Sequence, residues 1–433
     1  MSLIRKFLNN KYFIILTYFF TLVCWYFKIQ TPALIYASLA IVLIIMTDAS
    51  RINIVTIIFA GIINYRETSY ENNYLIYLII GGIIVPFMFF DLYRQGLKYK
   101  NSILIAMIIF LLANILSMVN ITKETLAYGL SGIAQNAAFC LLFLYIWNIR
   151  KKEDYKFIGK SATYLSIAIS IQVLIFLLTY EGEVLNKNIF LGWSASNTLA
   201  MIYLLLIPMT IYLYIENQKR IFLLPILIID IAVIILTFCK GAYLTLAILF
   251  IPMVFYMRKF VKDRRRFTRN LLVMAGMMVL FLAIVFSVTS IREGFVNYFS
   301  QMAERGWFND KARIEILKYG ASVFKKFPLF GSGSFTSTPY LVFNGYKPSL
   351  KHYHNIIIQN LATMGIFGLL AFGNYLIQIF RKAKPNHFYN ISVLFAVLSM
   401  LIHGMVDSTW HNPIIFIIMT IYLTCLVDKK EII

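Results

Sequence analysis

Apolar stretches alternate with short polar breaks along almost the whole chain. Crossing a bilayer takes about 20 mostly apolar residues. Stretches near that length run over residues 12 to 27, 32 to 47, 52 to 64, 74 to 90, 102 to 119, 125 to 148, 158 to 180, 189 to 215, 221 to 238, 241 to 257, 271 to 290, 354 to 380, 390 to 410 and 412 to 427. Several are short, so about 12 to 14 crossings are expected. Strands exposed to lipid would leave their N–H and C=O groups unpaired, which makes these spans helices. The expected fold is all-α, a polytopic membrane helical bundle. It divides into residues 1–290 with eleven spans, a long polar loop at 291–353 carrying short amphipathic helices, and 354–433 with the C-terminal spans.

Composition supports this reading. The chain is 60% hydrophobic and only 14% charged, against about 25% charged in soluble domains. Short cytoplasmic loops carry an excess of Lys and Arg. With the N-terminus inside, most of the 40 basic residues fall on the inner side, in runs such as Arg150-Lys151-Lys152 and the cluster Arg258, Lys259, Lys262, Arg264, Arg265, Arg266 and Arg269. A net charge of +21 therefore reads as a topology signal and as contact with anionic membrane lipids. No nucleic-acid partner is expected, because the charges flank apolar helices and do not gather in a patch with interleaved aromatic groups. Cys24, Cys140, Cys239 and Cys425 lie in apolar segments without paired spacing and read as small core residues. The first apolar run has no small-residue cleavage site and more spans follow it, so no cleavable leader is expected.

On this orientation the loop at 291–353 lies outside, with nine basic residues against four acidic ones. An anionic partner is implied. Within it, residues 312 to 327 read as an amphipathic helix with Ile314, Leu317, Ala321 and Phe324 on its apolar side, ended by Pro328. The Gly331-Ser332-Gly333 turn that follows reads either as an ordinary flexible loop or as backbone N–H groups offered to a phosphate.

All five histidines lie late in the chain. His354 sits at the head of the twelfth span, where unpaired N–H groups and the helix dipole favour an anion. An imidazole there is either interfacial structure or a general base near neutral pH. His403, Asp407 and His411 recur at i, i+4 and i+8, which reads as a metal-ligand stripe or as a hydrogen-bonded network beside an outward cavity. The network is preferred, since the spacing is no strong metal signature and Pro413 places a helix end nearby. Two charges lie in apolar segments and are functional candidates on that ground. Asp230 is mid-span and fits an inter-helix pair or a substrate contact. Lys240 stands at a tight outer turn, where it snorkels to water or reaches a phosphate.

The segment His354-Asn355-Ile356-Ile357-Ile358-Gln359-Asn360-Leu361-Ala362-Thr363-Met364-Gly365-Ile366-Phe367-Gly368 resembles the signature of the O-antigen ligase and O-antigen polymerase superfamily, of the WaaL and Wzy type. Arg313 opening a helix that ends in Phe327-Pro328-Leu329-Phe330-Gly331-Ser332-Gly333 is similar to that family's arginine helix. Lys240-Gly241-Ala242 resembles its Ser-Arg-Gly-Ala turn, with lysine in the arginine position. Gly192 to Asn197 resembles an outer segment of polymerase-like members. The likeness covers residues 185 to 427. It implies a membrane glycosyltransferase of the bacterial cytoplasmic membrane, with its site on the outer face. The donor would be an undecaprenyl-pyrophosphate-linked oligosaccharide, other polysaccharide-assembly proteins are further partners, and no metal or cofactor is called for. By position, His354 would be the base on the acceptor hydroxyl and Arg313 would hold the leaving pyrophosphate. Lys240, Arg305, Lys311, Gly331, Gly333, Tyr353, Asn355 and Asn197 would supply further substrate contacts. Polymerisation of repeat units is the expected reaction. Transfer of a finished glycan to another acceptor is the alternative, and a flippase for the same lipid is the rival from another class.

Overall fold

The computed structural model describes all residues except 1, 65–69, 180–188, 193–195, 288, 306–310, 344, 346–351, 408–411 and 428–433. Among the described residues it is entirely helical, as expected. A helix lies over each expected span. Seven are long and apolar enough to cross a membrane, and six more are shorter apolar helices of 10–17 residues.

Hydrogen bonds and an ion pair between loops sort them onto two ends of the bundle. At one end Ser50 meets Asn9, Arg51 meets Asp91, Lys98 meets Asn148 and Gln218 meets Asp263. At the other, Trp25 meets Leu191, Ser117 meets Ser334 and Asn197 meets Asp407. Alternate helix ends therefore fall together, as the alternation of spans requires. The first is the end where the Arg258 to Arg269 cluster lies.

The centre is α9 (Ser196–Glu216), whose side chains are buried nearly throughout. It is apolar on every side, as a fully surrounded helix must be. Against it pack α8 (Asp154–Thr179), α10 (Leu223–Leu236), α11 (Lys240–Phe260), α17 (Phe388–Gly404) and α18 (Pro413–Thr424). Asp230 of α10 is buried and accepts a hydrogen bond from the Ser166 hydroxyl of α8. It joins two helices and lies away from the site described below. The four cysteines are buried and in no disulfide.

The helix that opens at His354-Asn355, α16 (Ile356–Lys382), is in two pieces. Gly365 has φ 66° and ψ −162°, outside helical geometry. In an unbroken helix the carbonyls of Ala362 and Thr363 would accept from the N–H groups of Ile366 and Phe367. The chain at 328–333 runs into the break and takes over both sides of it. Ile366 and Phe367 donate to the carbonyls of Pro328 (2.9 Å) and Leu329 (3.3 Å), while Ser332 and Gly333 donate to those of Ala362 (2.9 Å) and Thr363 (3.0 Å). From the other flank Asn120 donates to the Gly331 carbonyl at 2.8 Å, and the Ser117 hydroxyl accepts from the Ser334 N–H at 3.0 Å. The expectation of a flexible loop or a phosphate cradle at Gly331 and Gly333 is thus corrected. Residues 331–334 are buried, and the N–H groups that would face an anion are spent on the Phe327 carbonyl and on the broken helix.

Two glycines permit this approach. A Cβ on Gly331 would lie 2.2 Å from the Thr363 carbonyl carbon, and one on Gly365 would lie 2.2 Å from the Leu329 carbonyl oxygen. Both also have positive φ. Gly365→Ala and Gly331→Ala are each expected to cost at least about 1–3 kcal/mol. Gly373 of the same helix has nothing within 4 Å of its Cβ position, so Gly373→Ala should be neutral or gain about 0.5–1 kcal/mol. Thermal unfolding of the three purified variants in one detergent checks this, and equal melting temperatures would contradict the packing described.

Candidate active site

The amphipathic helix before the re-entrant segment is α14 (Lys311–Lys326). Its buried face is Ile316, Gly320 and Val323, with Ile314 46% exposed, so the face expected around Ile314 and Leu317 is corrected by rotation about the axis. The cause is Gly320, where a Cβ would come within 2.6 Å of Ile358 and 3.0 Å of the Tyr353 ring. The bare backbone there lets α14 seat on the first turns of α16, a contact that hydrophobic spacing alone does not register. Arg313 lies three residues before Ile316 on this seated face. It reaches the end of α17, donating from Nη1 to the Val406 carbonyl at 3.1 Å.

His354 precedes α16 in a left-handed backbone conformation, φ 52°. Such a conformation is strained for a residue with a Cβ and persists only where surroundings impose it. Here the imidazole Nδ1 sits 2.9 Å from Asp407 Oδ1. Asn197, in the first turn of α9, donates to the other carboxylate oxygen, Oδ2. Asp407 follows the end of α17 and is only 8% exposed. Its N–H donates to the His403 carbonyl at 2.9 Å, which turns the chain back at the helix end. Burial by itself would raise the Asp407 carboxyl. The hydrogen bond and charge of His354, with the charges of His403 and Arg313, outweigh burial and hold it well below the usual carboxylate range. Asp407 is therefore ionised and can only accept. Nδ1 of His354 must then carry a proton, and whenever the ring is neutral Nε2 is the acceptor.

The turn between α10 and α11 closes the other side. The Cys239 thiol lies 3.4 Å from His403 Nε2, and a Cβ on Gly241 would meet Val406 at 2.6 Å. Between them Lys240 is exposed at the head of α11. A further helix of the loop, α13 (Thr289–Arg305), is tied to this turn: Tyr298 donates to the Phe238 carbonyl at 2.8 Å, and its ring lies 4.6 Å from that of Phe238.

The structure thus gathers His354, Asp407, Asn197, His403 and Arg313, with Lys240 in the turn beside them. Other expected site residues fall elsewhere. Tyr353 is wholly buried under α14, its N–H donating to Gln359 Oε1, so it packs where a substrate contact was expected. Asn355 caps α16, accepting from Ile357 and Ile358 and donating to the Met405 carbonyl; it ties two helix ends instead of facing a ligand. Lys311 is exposed, two residues from Arg313 and on a different face. His411, the side chain of Arg305 and residues 193–195 lie outside the described residues. Among the described residues no three His, Cys, Asp or Glu side chains come together as a metal site. Sequence reasoning missed Cys239, Tyr298 and the clamp from Ser117 and Asn120, all single residues with no spacing to mark them.

The sequence model of the O-antigen ligase family matches residues 225–373. This region is similar to the O-antigen ligase family. This ligase-family region contains Lys240, Arg313 and His354, while Asn197 and Asp407 come from outside it. No curated protein matches the chain. The match and the apolar helices together support a multi-pass membrane protein with a function of the O-antigen ligase or polymerase type; members of the matched family are glycosyltransferase-like enzymes with lipid-linked glycan substrates.

A carboxyl with a depressed folded-state value adds stability above its unfolded value of about 3.9 and loses it as pH falls through the lower folded value. Asp407→Asn should therefore lower the melting temperature of the purified protein at pH 7, and the gap to the parent chain should narrow below about pH 4. A gap independent of pH would refute the ionised Asp407.

Proposed function

We propose that this protein joins lipid-linked oligosaccharide units at the outer face of the bacterial cytoplasmic membrane, taking the growing glycan from its polyprenyl pyrophosphate. The observation that carries the reading is the His354–Asp407 pair beside Arg313. Nε2 of His354 takes the proton from the attacking sugar hydroxyl. Its oxygen bonds to the anomeric carbon of the donor sugar as the bond from that carbon to the pyrophosphate oxygen breaks. The electron pair leaves with the pyrophosphate, and Arg313, assisted by Lys240, stabilises that growing negative charge. Fixed cations in a site poor in water favour the transition state over the ground state. Asp407 holds the imidazole in the tautomer that can accept, and Asn197 fixes the carboxylate.

The excess of Lys and Arg at the opposite end of the bundle supports the outer placement of the site. Joining of repeat units is favoured over a single transfer by the Gly192 to Asn197 likeness to polymerase-like members. Transport is disfavoured because the charges beside the site gather in one asymmetric outer loop, whereas transporters tend to place theirs at mid-membrane.

Purified protein given polyprenyl-pyrophosphate oligosaccharide should release polyprenyl pyrophosphate and yield a ladder of repeats. One transferred unit on a different acceptor would make it a ligase, and no release would remove the enzymatic reading. His354→Ala and Arg313→Ala should each lower turnover by about 10² to 10⁴, and Asp407→Asn should act in the same direction through the imidazole tautomer. Near-normal product from both alanine variants would defeat the mechanism.

A further inference from the structure

Away from the site, a cavity of 480 Å³ opens between α9, α10, α11 and α12 (Arg264–Ser287), in the half of the bundle nearer the basic end. That volume is in the range of small-molecule sites. Its walls are apolar apart from Tyr214, whose hydroxyl already accepts from Asn270 Nδ2 at 2.9 Å. A polar ligand finds nothing to bind there. The cavity exists because α12 stands away from its neighbours, with Leu272 68% exposed and Val279 67% exposed.

Two of the helices that wall it carry an apolar stripe ending in arginine at the basic end. On α11, Phe250 and Val254 line the cavity, and Arg258 comes next at i+8. On α12, Leu271 and Phe267 line it, and Arg264 precedes them by one turn on the same side. Both arginines are exposed, and Arg266 and Arg269 lie within electrostatic reach of the Tyr214 hydroxyl. The ligand this arrangement fits has an apolar chain lying along the helices and an anionic head at their basic end. The geometry points to a resident anionic phospholipid, one acyl chain in the cavity and its phosphate on Arg258 and Arg264. Basic pockets between membrane helices on the cytoplasmic side take such head groups, and the cytoplasmic leaflet supplies them. This site is independent of the glycan reaction.

The test uses the full chain in detergent, incubated with phosphatidylglycerol or with phosphatidylcholine of the same acyl chains and analysed by native mass spectrometry. Phosphatidylglycerol should be retained in preference, on the order of tenfold or more from two arginine contacts. The pair Arg258→Gln and Arg264→Gln should remove that preference. Ala247→Trp, which projects from an exposed position into the cavity, should reduce retention with every charge in place. On the unmutated chain, phosphatidylglycerol with a photoreactive acyl chain should label residues 246–257 and 267–274. Equal retention of the two lipids, displacement by glycerol phosphate alone, labelling elsewhere, or a lipid-free dimer covering the cavity would each overturn the assignment.

Discussion

A backbone N–H or C=O left without a partner in hydrocarbon costs several kcal/mol, and that penalty governs how the site-bearing half of the chain is built. Breaking α16 at Gly365 would strand two donors and two acceptors well inside the helix. The segment at 328–333 satisfies all four with its own backbone. The long loop is consequently anchored at depth, and its path fixes two things at once. It ends α14 at Lys326, so that Arg313 stands at the opposite end of that helix, and it ties the first turns of α16, with His354 just before them, to that helix. The backbones that carry His354 and Arg313 are held relative to each other by hydrogen bonds that side-chain motion leaves intact.

Electrostatics then decides what that scaffold can do. Asp407 is the one carboxylate within the gathered site residues, set among His354, His403 and Arg313. An unpaired buried carboxylate would be costly, but here the charge is matched and each oxygen has a donor. The consequence is directional. Asp407 keeps a proton on Nδ1 of His354, so that in the neutral ring Nε2 is the nitrogen that accepts, while Arg313 adds positive charge on the same side.

Helix positions were legible from hydrophobic run length, because a lipid environment leaves few alternatives to a helix. His354 was legible as a polar residue at the head of an apolar span, whereas Arg313, one of nine basic residues in the polar loop, was legible only through its likeness to a family motif. The errors at the glycines share one physical origin. Gly331, Gly333 and Gly320 carry no side chain, so nothing in a pattern of apolar and polar residues says whether their bare backbone faces a ligand or another helix. Here all three face protein. Tyr353 and Asn355 were drawn into the site by sequence adjacency to His354. Yet the left-handed conformation at His354 sends the chain in a new direction, so one neighbour is buried under α14 and the other caps a helix.

The ligase-family region at 225–373 does not make this site alone. Its His354 is bonded to Asp407, from beyond its C-terminal limit, and Asp407 is bonded to Asn197, from before its N-terminal one. Its broken helix leans on Asn120 and Ser117, from further upstream still. Those residues sit on α9, on the end of α17 and on the loop after residue 116, each at the same end of the bundle. The poles of the helices outside the matched region thus act as a frame that sets the distance between its histidine and its arginine. Changing the packing of that frame would alter the geometry offered to a donor while every matched residue stayed in place. Variation outside the matched region is therefore a physical route by which one such motif can serve acceptors of different shape.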